Sequence, residues 1–120
     1  VKWDLLNGDL RRTVAQVGDD IRFIAARRGP VACEELSLCF WAGKEFEMDF
    51  FNSRQAVATG RATEAALTAP LRERRYAAVQ IVGSVPGEPH SRVSSEYLDA
   101  LHANYTLARR SPAGYIYVPR

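Results

Sequence analysis

The chain has 120 residues, 47% of them hydrophobic and 25% charged, with a net charge of +2. That balance suits one domain with one core and excludes a disordered tail, and a charge this small gives weak long-range steering of an anionic partner. The longest apolar runs fall far short of a membrane span, and no basic, apolar and small-residue succession marks a signal peptide, so a soluble domain with no membrane partner is expected. Val1 in place of Met fits a chain trimmed from a longer protein.

The first element is an amphipathic helix. Trp3, Leu6, Leu10, Val14, Val17, Ile21 and Ile24 recur at spacings of three and four. Gly8 and Gly18 weaken its interior, so a start after Asn7 or Asp9 is expected. Arg27-Arg28 suits the negative end of the helix dipole, and Gly29-Pro30 stops the helix.

A hairpin is expected next. Leu36, Leu38 and Phe40 alternate with polar neighbours between Val31 and Trp41, and Phe46, Met48 and Phe50 do so between Glu45 and Phe51. Ala42-Gly43-Lys44 turns the chain, and pairing Phe40 with Phe46 keeps one face apolar. This hairpin would place Glu35, Glu45, Glu47 and Asp49 on one face, together with Cys39. Cys33 and Cys39 on one strand would stand about 20 Å apart, too far to bond. Two free thiols then favour a cytoplasmic location.

The Ala- and Thr-rich stretch from Arg54 to Ala69 reads as helical, capped by Asn52 or Ser53 and interrupted at Gly60, with Pro70 ending or kinking it. A short strand at Ala56–Ala58 followed by a helix from Thr63 is the alternative. Tyr76–Val82 is a β-branched apolar run and reads as a buried strand. After a loop, Ser94 or Ser95 caps a helix with Leu98, Leu101, Tyr105 and Ala108 as its apolar stripe, closed by Arg109-Arg110. Tyr115–Val118 is the last strand. The expected fold is a single α+β domain over residues 1–120, in the order α-β-β-α-β-α-β. Its four strands form a mostly antiparallel or mixed sheet, with the helices packed on one face.

Chemistry concentrates in the loop Gly83–Arg92, between a buried strand and a helix N-terminus, where anions are often bound. His90 has the right intrinsic pKa to move protons, and Arg92 can clamp a phosphate or carboxylate. Ser94 and Ser95 add donors, and Tyr115 and Tyr117 could stack on bases. This pattern points to an anionic ligand, phosphate or RNA, and to metal-independent ribonuclease-like cleavage with no cofactor and no metal. The GxxxxGK[ST] pattern of a P-loop is absent. Two other readings stand beside it. One is a non-catalytic protein-interaction or dimerisation module, using the first helix's stripe or the edge of the last strand. The other is a small-molecule enzyme or ligand pocket built on Glu35, Glu47 and Asp49, with Cys39 as a nucleophile. His102, three residues after Asp99, reads as a surface pair.

Overall fold

A computed structural model describes residues 3–44, 50–83 and 93–120. Its elements are α1 (Trp3–Ala26), β1 (Val31–Cys33), α2 (Leu36–Trp41), α3 (Phe50–Ala58), α4 (Glu64–Arg72), β2 (Ala78–Ile81), α5 (Ser95–Asn104), β3 (Tyr105–Ser111) and β4 (Gly114–Pro119). The chain forms the expected α+β class around one four-stranded mixed sheet, in the order β1-β2-β4-β3. β1 runs parallel to β2, whereas β4 is antiparallel to both β2 and β3.

Helix α1 starts at Trp3, before Gly8, and its 24 residues span about 36 Å. It ends at Ala26, and Gly29, at φ +116°, follows three residues later. Its stripe is used from the C-terminal end: Ile24 is fully buried, Val17 and Ile21 pack on the same cluster, and Val14 is 62% exposed.

The expected hairpin does not form in its first half. The strand stops at Cys33, and Leu36–Trp41 is helical. The alternating pattern fitted a strand, but a tertiary contact wins: Cys33 and Cys39 form a disulfide, with Cα atoms 6.0 Å apart. A continuous strand would hold them about 20 Å apart, so strand and bond exclude each other. The premise of two free thiols, and with it the argument for the cytoplasm, is removed. Closing so short a loop restricts the unfolded chain by about 2 kcal/mol on the chain-entropy model. The second half of that hairpin, residues 45–49 with Phe46 and Met48, lies outside the described residues.

The Ala-rich stretch forms two helices. Gly60, at φ +75°, separates them, and the Thr63 hydroxyl caps α4 by accepting from Ala66 N. α4 runs through Pro70 to Arg72. Further on, α5 ends at Asn104 rather than at Arg110. Residues 105–111 have the spacing of a helix stripe, but they pair with β4 along a seven-residue strand. Strand pairing overrides the helix propensity of Leu107, Ala108, Arg109 and Arg110. β4 is therefore an interior strand, and the open edge of the antiparallel half belongs to β3.

Both faces of the sheet are covered. Val79, Ile81 and Tyr117 point to one side, against Leu71 of α4 and Tyr97, Leu98 and Leu101 of α5. Ala78 and Ile116 point to the other, with Val31 and Cys33 of β1, against Ile24 of α1 and Leu38 of α2. The helices divide between two faces instead of sharing one, because β2 and its neighbours carry apolar groups at successive positions.

A register shift between Leu107 and Arg109 lies in β3. It places Leu107 with the α5-side core and Arg109 toward α1, although two residues apart they would share a face on a regular strand. Arg109 Nε donates to the buried carboxylate of Asp20, and Ser111 Oγ donates to its other oxygen. The bulge thus supplies partners to a charge buried on α1, which without them would be costly.

The hairpin between β3 and β4 turns at Gly114, with φ +134°. A Cβ there would lie 2.2 Å from the Ile81 carbonyl oxygen, a backbone atom that cannot swing away. Gly114→Ala is expected to cost about 1–3 kcal/mol in urea unfolding. Gly43→Ala, where nothing lies within 4 Å, should cost less. Equal losses at the two positions would count against the close approach of β4 to β2.

Candidate functional site

The loop singled out in the sequence joins β2 to α5, but His90 and Arg92 lie outside the described residues. The two ends of that loop are described. Gly83 follows β2, and Val93 and Ser94 lead into α5. Ser94 is the N-cap. Its hydroxyl accepts from Tyr97 N at 3.2 Å and donates to Glu64 Oε2 at 3.1 Å. The other oxygen of Glu64 receives Arg54. This Arg54–Glu64–Ser94 chain ties α3, α4 and α5 together and lines a small cleft with Phe50, Ser53 and Tyr97. The closed part of the cleft has room for about one water. Ser95 begins α5 and is exposed.

Tyr115 and Tyr117 lie elsewhere, on the α5 side of β4, and neither lines the cleft. Tyr117 is buried, with its hydroxyl 3.3 Å from His102 Nε2. Tyr115 is half-buried beneath the Arg110 guanidinium, 6.0 Å from the ring centre. His102 therefore meets a tyrosine on the sheet, a partner invisible in the local Asp99–His102 spacing.

The carboxylate cluster is not assembled within the described residues. Glu35 precedes α2, is exposed, and accepts from Ser37 Oγ at 2.9 Å. Glu47 and Asp49 lie outside the described residues. Cys39 is buried and bonded to Cys33, so it is not a thiolate nucleophile. This corrects the expectation placed on it.

A buried polar group at the ends of the parallel strands leaves little trace in the sequence. Glu34 is buried, and its Oε1 accepts from Val82 N at 2.8 Å. Gln80 is buried beside it. Its Oε1 accepts from Glu35 N at 2.9 Å, and its Nε2 donates to Ala113 O at 3.1 Å. The signal available in the sequence was a glutamine within an otherwise apolar strand. Glu34 also bears on Tyr97. Burial holds the Tyr97 phenol well above its ordinary value of 10.0, with Tyr76, Tyr105 and Glu34 nearby adding to the effect. Burial likewise raises Tyr105, whose hydroxyl accepts from Tyr76 N and donates to Tyr76 O. These phenols keep their protons at neutral pH, and Tyr105 uses its proton to donate to Tyr76 O.

Among the described residues, the large exposed apolar groups, Val14, Phe40 and Trp41, belong to α1 and α2. Phe40 and Trp41 end α2 at 63% and 69% exposure, edge to face with ring centres 5.4 Å apart. Lys44 Nζ donates to Arg27 O and ties the chain after α2 to the end of α1.

Comparison with protein-family models, with curated proteins and with solved structures finds no match to this chain.

Two measurements test this arrangement. Ser94→Ala is expected to lower stability by about 1 kcal/mol through loss of the cap, whereas Ser95→Ala should change it little. Urea melts separate the two variants. The buried tyrosines set the alkaline limb. The unfolded chain releases its phenolic protons near pH 10, while the folded chain retains them. Stability from this source is undiminished below about pH 10 and falls as pH rises from there toward the raised folded values. Tyr97→Phe should flatten that fall, and an unchanged alkaline slope in the variant would show that Tyr97 does not contribute to it.

Proposed function

We propose that this domain is a protein-interaction module that docks through the α1–α2 face. The observation that carries this reading is the Phe40–Trp41 pair. Two large aromatic groups stand side by side in solvent at the end of an ordered helix, where a folded chain normally keeps few such groups. Aromatic residues are the commonest energetic anchors of protein interfaces. The apolar stripe of α1 supports the reading, because it continues to Val14, which is 62% exposed.

The test is photocrosslinking in cells that make the protein. A photoreactive phenylalanine at position 40 is expected to yield discrete adducts that disappear with Trp41→Ser. The same probe at Arg110, on the other side of the sheet, should yield none of them. Light scattering over a concentration series identifies a second copy as the partner when the mass doubles and Trp41→Ser restores the monomer. A strict monomer with no adduct from position 40 overturns the reading.

A second reading rests on its own observation. Ser94 caps α5 at a cleft that also holds Arg54, and His90 and Arg92 shortly precede Ser94 in the sequence. A helix N-terminus beside Arg54 suits phosphate or an RNA backbone, and in this reading Arg92 is the clamp and His90 the acid–base group of a metal-independent cleavage. Glu64 already neutralises Arg54, which ranks this reading second. If it holds, His90→Ala abolishes RNA cleavage and leaves the urea midpoint unchanged. Full cleavage by the variant rejects it.

A further inference from the structure

We infer that the Cys33–Cys39 bond is what makes α2 a display element. In the oxidised chain the bond holds Phe40 and Trp41 outward in fixed geometry, and in the reduced chain α2 alone is released. For its consequence, though not for its test, the inference rests on the interaction reading above.

A helix of six residues does not stand by itself, since nucleation costs more than so few hydrogen bonds return. α2 also lacks a side-chain cap, because Glu35 at its N-cap makes no such bond. Only two of its side chains are buried, Leu38 and Cys39. One of those two anchors is covalent, and the other is a single leucine. Of the remaining large groups, Leu36 is only half-buried, and Phe40 and Trp41 are mostly exposed and anchor little.

The chain on either side is fixed independently of the sulfurs. Before α2, Glu34 N donates to Gln80 O at 2.8 Å and Glu35 N to Gln80 Oε1 at 2.9 Å. After it, Lys44 Nζ is held by the carbonyl of Arg27. These attachments do not change when the bond opens. They confine the release to residues 36–43 and leave β1 paired with β2.

Opening the bond requires a cellular dithiol as reductant. One thiolate of the dithiol attacks a bridge sulfur, and the other cysteine leaves as thiolate and takes a proton. The second thiol of the reductant then displaces the first cysteine, which is protonated in turn. The chain gains two electrons and two protons, and the dithiol becomes its own disulfide. Both sulfur-bearing residues are buried, so attack waits on local opening and the exchange is slow. The bond therefore opens slowly and is not cycled rapidly.

The experiment is hydrogen exchange read by mass spectrometry on the full chain, comparing the oxidised protein with Cys33→Ala/Cys39→Ala. Beforehand, alkylation of the denatured, unreduced protein from an oxidising compartment is expected to label neither cysteine. Labelling of both overturns the inference at once. In the exchange measurement, residues 36–43 should lose protection at least tenfold in the variant, while β2 and β4 keep theirs. Unchanged protection in 36–43 shows that Leu38 suffices to hold α2. An equal loss across β2 and β4 shows that the bond holds the whole fold. Either result overturns the inference. Because exchange reads α2 itself, a failure here differs from absent adducts at position 40, which would remove the docking reading alone.

Discussion

A sheet covered on both faces leaves its inner strands no side from which water can reach a polar group. β2 lies in that position, and Gln80 is the polar residue within it. Every hydrogen bond its amide makes must come from protein. It makes them with the first residue past Glu34 and with the turn between β3 and β4. One side chain therefore joins the end of the parallel pair to the end of the antiparallel hairpin. The stop of β1, the entry to α2 and the seating of the Gly114 turn all meet at this amide. Replacing it with an apolar group of equal size would leave the Glu35 N–H and the Ala113 carbonyl to find other partners.

Two further buried polar attachments follow the same rule. Asp20 faces the sheet from α1 with no exposure, and the irregular step in β3 brings Arg109 and Ser111 to it. Glu34 closes the other end by receiving the backbone N–H of Val82. The apolar clusters on each face give the helices their general places. These few polar side chains give them their particular ones, because a carboxylate buried without its donors would cost several kcal/mol, on the order of the whole stability of a domain.

What could be read from the amino acids alone was whatever depended on neighbours in the chain. The stripe from Val17 to Ile24, the Ser94 cap, the break at Gly60 and the run Ala78–Ile81 are local patterns, and each appears where it was expected. What failed depended on partners far away. Leu36–Phe40 alternates like a strand, yet it is a helix because Cys39 bonds to Cys33 and Leu38 has a core to enter. Tyr105 and Ala108 have helical spacing, yet both lie in β3, which pairs with a strand beyond the next turn. For the candidate site, Ser94 was legible as a cap, but its link through Glu64 to Arg54 crosses three helices and leaves no periodic trace. Glu34 was hidden for a similar reason, since a glutamate after a short apolar run looks like a solvated loop residue.

The strand order also sets the sequence of events by which the chain can assemble. The β3–β4 hairpin joins neighbours and can close as soon as both strands exist. β1 is made early, but its partner begins at Ala78 and pairs Val31 only after three helices have been added. A chain growing from its N-terminus therefore carries α1, β1 and α2 with the sheet-facing side of each uncovered, until β2 arrives. In that interval the short loop between Cys33 and Cys39 is the one cross-link the growing segment can close without waiting for the rest. A nascent chain that closes it enters the last stage of folding with the direction of its first strand and second helix already related.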